Sequence, residues 1–157
     1  MKRIDLFLLM ICVICGFGTA SASLNLTIRD AGYNHVTWSY DDATSAYTFV
    51  TQGNDPFVLT EGFSRALTSG EVVITFEYKL DQAINDLQIF FKGKYNNWSD
   101  AYSIKNQQLI ATSEWAVFSV NVSQQLSDWG VGSIGDQFRL DLGGASGKTI
   151  QIRHLRV

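Results

Sequence analysis

One short segment of the chain concentrates the groups that could bind a sugar. A pyranose ring has an apolar face of C–H groups and a rim of hydroxyls, so its binding site needs a flat aromatic ring beside amides or carboxylates. The segment supplies three rings, and it lacks the alternating apolar partners that would bury all of them in a strand: its candidate residues are Tyr95, Asn97, Trp98, Asp100 and Tyr102. We expect Trp98 to stack on the sugar, Tyr95 or Tyr102 to complete the platform, and Asn97 or Asp100 to contact hydroxyls. The alternative is that one or two of the rings only cap a hydrophobic core.

Two further candidates lie towards the C-terminus. Arg139 and Asp141 alternate with Phe138, Leu140 and Leu142, which places the charged pair together on the outer side of a strand. The pair could hydrogen-bond sugar hydroxyls in a sheet groove, or it could be a structural ion pair. Trp129 stands beside glycines and could be either a ligand platform or a lid on the core.

The sequence contains several apparent catalytic signatures that fail on inspection. The run Gly143 to Thr149 resembles a phosphate-binding loop, but Leu142 stands where that motif needs its first glycine, and a strand follows instead of a helix. His35 and His154 have no second ligand at metal spacing. No serine lies in a nucleophile-elbow sequence, and no carboxylates follow a one-face strand pattern. We therefore expect no catalytic residue, no metal ligand and no cofactor.

The first residues have the organisation of a secretory signal peptide. A basic pair, Lys2 and Arg3, precedes an apolar run from Leu6 to Phe17 and a small-residue cleavage sequence that ends at Ala22. This predicts a signal peptide over residues 1–22, a single domain over 23–157, and a secreted, periplasmic or cell-surface location. The alternatives are a membrane anchor, for which the run is short, and a lipoprotein signal, which fits poorly because isoleucine precedes Cys12 and Cys15.

Charge and cysteine content exclude several classes of function. Without the leader the chain keeps 10 basic and 14 acidic side chains and a formal charge of −4. No basic face is visible, so nucleic acid is not an expected partner, and neither is membrane insertion of the mature protein. Both cysteines lie in the leader, which removes disulfides and thiol chemistry from the domain.

Alternating apolar residues indicate an all-β fold. The clearest case is Glu71 to Leu80, where every second residue is apolar over ten positions. Similar short runs occur elsewhere, separated by Gly, Asn, Asp and Ser clusters: 24–28, 36–40, 47–51, 57–60, 87–91, 116–122, 138–142 and 149–157. The spacing predicts an antiparallel β-sandwich of about eight or nine strands, with at most one helical turn around 123–128.

The last of these strands violates its own alternation. Ile150 and Ile152 share one side, but a regular continuation would expose Leu155 and Val157. A β-bulge near Arg153 and His154 would return both apolar residues to the core.

The order of several segments resembles the jelly rolls of bacterial carbohydrate-binding modules, also called galactose-binding-like domains. The segments, which span nearly the whole of 23–157, are 53–57 (GNDPF), 73–79 (VITFEYK), 87–91 (LQIFF), 113–115 (SEW), 138–143 (FRLDLG) and 150–157 (IQIRHLRV). The resemblance implies a non-catalytic module attached to secreted polysaccharide-degrading enzymes, with Asp55 and the Arg139–Asp141 element as framework features. Relatives often carry an Asp near Arg153 or His154, and its absence here argues against the structural calcium ion that many of them hold.

Three functions follow for testing. The first is a secreted module that binds polysaccharide or oligosaccharide without cleaving it. The second is a packing domain of a larger glycoside hydrolase, which predicts an apolar patch beside the C-terminal strand. The third is a small sugar-active enzyme, which predicts two carboxylates about 5–10 Å apart across a groove.

Overall fold

The computed structural model describes residues 23–62, 73–92, 97–122 and 137–157. These residues form ten strands and one 3-10 turn at Asp100–Tyr102. The strands are β1 (Ile28–Asn34), β2 (Val36–Asp41), β3 (Ala46–Thr51), β4 (Phe57–Thr60), β5 (Val73–Leu80), β6 (Ile84–Lys92), β7 (Ser103–Leu109), β8 (Thr112–Asn121), β9 (Gln137–Asp141) and β10 (Thr149–Arg156).

The strands form two antiparallel sheets of five strands each. Sheet I has the order β1-β4-β9-β6-β7, and sheet II has the order β2-β3-β10-β5-β8. All pairings between neighbouring strands are antiparallel. The all-β sandwich expected from the sequence is confirmed.

The core lies between the sheets and follows the period-two pattern of the sequence. In β5 each apolar residue from Ile74 to Leu80 is buried, and the residues between them are partly exposed. Phe49 and Phe76 of sheet II and Phe91 and Phe138 of sheet I are among the largest fully buried side chains. Burying a side chain of that size contributes roughly 2–3 kcal/mol, so both sheets are held by their inner sides.

Ten strands form where the sequence predicted eight or nine. The strand missed was β7, because its sequence SIKNQQL is polar and only Leu109 is buried, as befits an edge strand. The first strand begins at Ile28 and not at Leu24. Leu24 instead pairs its backbone with Val157 through hydrogen bonds of 2.6 and 3.0 Å.

The β-bulge predicted in the last strand is confirmed. The register of β10 against β5 shifts between Arg153 and Arg156, and His154 has a positive φ of 53°. Leu155 is only 4% exposed as a result, and Val157 packs partly buried against the core.

Some expectations fall outside the described residues: the signal peptide at 1–22 and the helical turn at 123–128. Within the described ranges, no helix has the length and apolar character needed to cross a membrane.

Candidate functional site

The outer surface of sheet I, which we call the front face, brings together residues from four strands. One row across the sheet aligns Phe57, Asp141 and Gln88, and the next aligns Leu59, Arg139, Phe90 and Ser103. Phe138 and Leu140 point to the core, so the outward placement of Arg139 and Asp141 is as the alternation predicted.

Arg139 is the centre of the front face. Its Nη2 donates to Asp141 Oδ2 at 2.7 Å and to Asp55 Oδ1 at 3.2 Å, and its Nε donates to Asp141 Oδ1. The guanidinium carbon lies 3.8 Å from the ring centre of Phe57 and 5.0 Å from that of Phe90. Arginine is suited to this position because its planar group forms paired hydrogen bonds and stacks on rings at the same time.

Burial dominates the electrostatics of the central pair. The side chains of Arg139 and Asp141 are each only 17% exposed. Burial raises the pKa of Asp141 above its ordinary value, the hydrogen bonds from Arg139 oppose that shift, and the charges of Asp55 and Asp100 add to it.

Gln88 connects the loop that contains Asp100 with the strand pair Arg139 and Asp141, two regions that the sequence indicated as separate candidates. Its side-chain amide donates to Asp100 Oδ1 at 3.0 Å and to Ser103 Oγ at 2.8 Å. In the sheet, Gln88 is also the direct neighbour of Asp141. Asp100 is held on its other side by Lys105 at 2.6 Å, which lowers the pKa of Asp100.

A short capped turn sets the shape of the loop around Trp98. Ser99 caps the 3-10 turn by accepting from Ala101 N at 3.2 Å, and Ser103 Oγ donates to Asp100 O at 2.9 Å. Trp98 precedes this turn and is half-buried, with Lys92 Nζ 5.7 Å from its ring centre. Because Lys92 lies on the outer side of β6, Trp98 lies at the rim of the front face.

The remaining predicted site residues have different placements. Asn97 is exposed beside Trp98. Tyr102 is partly buried and packs against the core, which matches the core-capping alternative for that ring. Tyr95 and Trp129 lie outside the described residues.

The sequence did not single out several residues of the front face. The rings of Phe57 and Phe90 both lie close to the guanidinium of Arg139, and Gln88 and Lys92 are the outer residues of β6 that reach the loop. The alternation of β6 carried a signal for Gln88 and Lys92, because a strand with buried Leu87, Ile89 and Phe91 must turn its other residues outward.

The front face presents hydrogen-bonding groups and aromatic rings, and each of its carboxylates is already bonded to another side chain. Asp55 and Asp141 both contact Arg139, and Asp100 contacts Lys105 and Gln88. In the part of the chain that the structure describes, no group of three or more His, Cys, Asp or Glu residues could hold a metal ion. The arrangement is suited to recognition of a polar, ring-shaped ligand.

Comparison with known proteins places the fold. No protein-family model matches the chain, and no curated protein matches it. Among solved structures, a family 29 carbohydrate-binding module from Piromyces equi matches with a TM-score of 0.56, 9% identity and coverage of 87% of this chain and 90% of that chain. A second family 29 module matches with a TM-score of 0.53, 15% identity and coverage of 87% and 88%.

A family 4 carbohydrate-binding module also matches, with a TM-score of 0.51, 14% identity and coverage of 78% of this chain and 75% of that chain. At these identities the likeness shows the fold alone. The resemblance to carbohydrate-binding modules drawn from the sequence is confirmed at that level, whereas its bacterial origin stays a prediction. The chain folds as the β-sandwich that these carbohydrate-binding modules share.

Proposed function

We propose that this protein binds a polysaccharide or oligosaccharide on the front face of sheet I and does not cleave it. The observation that carries the proposal is that the loop around Trp98 and the pair Arg139 and Asp141, which the sequence indicated as separate candidates, lie on one surface. Gln88 bonds to Asp100 of the loop and neighbours Asp141 of the strand pair. Aromatic rings and fixed polar groups within one surface are what a sugar chain requires.

Trp98 is the stacking residue in this proposal. Its ring lies at the rim of the face, and the exposed amide of Asn97 stands next to it in the chain. Lys92, Asp100 and Gln88 supply donors and acceptors along the surface towards Arg139. A sugar whose apolar side covers Trp98 therefore presents its hydroxyls to groups that are already oriented.

The structural neighbours support the same reading. Variants of a family 29 module were made to probe ligand recognition, and they include alanine replacements of an arginine and of an aspartate two positions further along. Arg139 and Asp141 have the same residue types and the same spacing. Another variant of that module was solved with cellulohexaose.

A binding role suits the front face better than hydrolysis does. A glycosidase needs one carboxyl group that donates a proton and another that acts as base or nucleophile. Here Asp141 is held by two hydrogen bonds from Arg139, and Asp55 bonds to the same guanidinium. We infer that these carboxylates orient the arginine for ligand contact.

The setting of this function follows from the sequence predictions. A signal peptide at 1–22 would deliver the domain to the periplasm, the cell surface or the exterior, where polysaccharides are found. A linked catalytic domain, whose substrate this domain would hold nearby, is the corresponding protein partner.

The test is the substitution Trp98→Ala in the purified protein. Losing a stacking ring should lower affinity roughly thirtyfold, or about 2 kcal/mol. The wild type is screened by affinity gel electrophoresis against soluble polysaccharides and by calorimetry with cellohexaose. The melting temperature of the variant should stay within about 5 °C of the wild type, because the ring lies at the rim and not in the core.

Tyr40→Ala is the matched control, because it removes an aromatic side chain that is 45% exposed and belongs to sheet II. It should leave affinity unchanged. A Trp98→Ala variant that binds as well as the wild type would overturn the role of Trp98. Wild-type protein that is retained by no polysaccharide would overturn the proposed function itself and favour the packing domain.

A further inference from the structure

The outer surface of sheet II, which we call the back face, contains a groove made by an irregularity between two strands. Tyr78 and Leu80 of β5 are two residues apart, but their partners in β8, Ala116 and Thr112, are four apart. Two extra residues in β8 therefore bulge away from β5 at this end of the sheet. Such bulges redirect side chains and are frequent beside functional sites.

The groove has a volume of about 490 Å³, within the range of about 300–1,000 Å³ that small-molecule sites occupy. It lies where β5 ends, β10 begins and the β7–β8 turn crosses the sheet edge. Six of its eight lining residues have polar side chains (Lys79, Asp81, Thr112, Ser113, Thr149 and Gln151), while most of the surface that the groove exposes is apolar.

Both hydrogen-bond donors and acceptors remain available in the groove. Asp81 accepts from Thr149 N through Oδ1 at 2.9 Å, which leaves Oδ2 for a ligand. Gln151 donates to Thr48 at 3.4 Å through its amide nitrogen, which leaves its carbonyl oxygen as an acceptor. Ser113 makes no side-chain hydrogen bond within the described part of the chain.

Lys79 supplies the cationic donor of the groove. Its ammonium lies 5.1 Å from the ring centre of Trp115, and it pairs with no carboxylate of the described residues. Among the described residues Arg153 is the other cation beside this ring, and it is paired with Glu77 at 2.6 Å. Gln151 is the direct neighbour of Lys79 in the sheet, so a donor and an acceptor stand side by side.

We propose that this groove is a second saccharide site, which takes a neutral mono- or disaccharide unit. One ammonium and one carboxylate cancel in charge, so the groove has no strong preference for an ion. Vicinal hydroxyls can accept from Lys79 and donate to Asp81 or Gln151, because each hydroxyl is both donor and acceptor. The inference extends the proposed function to a different surface.

The two sites would bind separate chains. The sheets of a sandwich pack about 10 Å apart and the two faces point in opposite directions, so a single extended glycan cannot lie on both. A domain with both sites would bridge neighbouring polysaccharide chains, and each site would raise the local concentration of ligand for the other.

The test is an NMR titration of the isotopically labelled protein with cellobiose, mannobiose and xylobiose. At least one sugar should shift the backbone amides of Lys79, Ser113 and Gln151 with a dissociation constant separate from that of Gln88 and Asp100. The double variant Lys79→Met/Gln151→Ala should weaken the groove constant at least tenfold and leave the front-face constant within twofold. Asp81→Asn, which keeps an acceptor for Thr149, should weaken only the groove.

Arg156→Met serves as the matched control, because it removes an exposed cation at the end of β10 that does not line the groove. Groove amides that none of the three sugars shifts would overturn this inference, and so would an unchanged groove constant in the double variant. Neither result would affect the proposed function, which depends on the front-face amides and on Trp98→Ala. Shifts confined to the groove would support this inference while overturning the front-face proposal.

Discussion

The two faces of the sandwich contain the same kind of cluster in two different environments. Each has an arginine that bonds to a carboxylate and lies over an aromatic ring: Arg139 with Asp141 and Phe57 on the front face, and Arg153 with Glu77 and Trp115 on the back face. The front side chains are 17% and 17% exposed, and the back ones are 26% and 29% exposed. The pKa of Asp141 is raised by burial, whereas that of Glu77 is lowered by hydrogen bonds from His154 and Arg153.

This difference shows how geometry decides what the same residues do. The front pair is bidentate, because each carboxylate oxygen of Asp141 accepts one N–H of Arg139. On the back face both Arg153 contacts reach one oxygen, Oε2, and the other oxygen lies 3.1 Å from His154 Nδ1. We expect the front cluster to be a rigid framework under a ligand and the back cluster to respond more readily to solvent conditions.

The largest expected effect is the difference between the two arginines in stability. Arg139→Met should lower the free energy of unfolding by about 2 kcal/mol, because it leaves a poorly solvated carboxylate without its partner. Arg153→Met should cost about 0.5 kcal/mol, because water can solvate Glu77 in its place. Urea unfolding at pH 7 measures both values, and equal losses would contradict the contrast between the faces.

A smaller contrast is expected for the aromatic partners. Phe90 is 8% exposed and is the direct neighbour of Arg139 in the sheet, with its ring centre 5.0 Å from the guanidinium carbon, so Phe90→Leu should cost about 1.5 kcal/mol. Trp115 is half-buried on the outer side of sheet II, and Trp115→Leu should cost about 0.5 kcal/mol through the loss of its cation–π contacts. Thermal unfolding measures both losses of stability. A larger loss for Trp115→Leu than for Phe90→Leu would contradict the inference that the front cluster is the more rigid of the two.

The smallest effect should be a pH dependence of opposite sign on the two faces. The lowered pKa of Glu77 means that its stabilisation is present above its ordinary value of 4.5 and is lost as pH falls through the folded value. The advantage of the wild type over Glu77→Gln should therefore shrink on acidification.

Asp141 should behave in the opposite way. Because its pKa is raised above its ordinary value of 3.8, the folded state takes up a proton more readily than the unfolded state does. The stability of the wild type relative to Asp141→Asn should then increase as pH falls towards 3.8. Urea unfolding of both variants between pH 7 and about pH 3.5 tests the pair, and slopes of the same sign would refute it.

Local pattern determined a large part of this protein. The alternation of apolar residues predicted the β-sandwich, the outward placement of Arg139 and Asp141, and the bulge that returns Leu155 to the core. Each of these depends only on which side of a strand a residue occupies, and that is a property of a few neighbouring residues.

Tertiary structure alone decided which distant residues meet. Gln88 reaches Asp100 and neighbours Asp141 because β6 pairs with both β7 and β9, and no local pattern encodes those partners. The groove beside Lys79 likewise depends on strand pairing, because it forms where β8 has two residues more than the stretch of β5 with which it pairs. The side of the strand to which a residue points can be predicted from its neighbours in the sequence. Its partners on that side depend on the complete fold, because strand pairing is decided by the packing of the whole core.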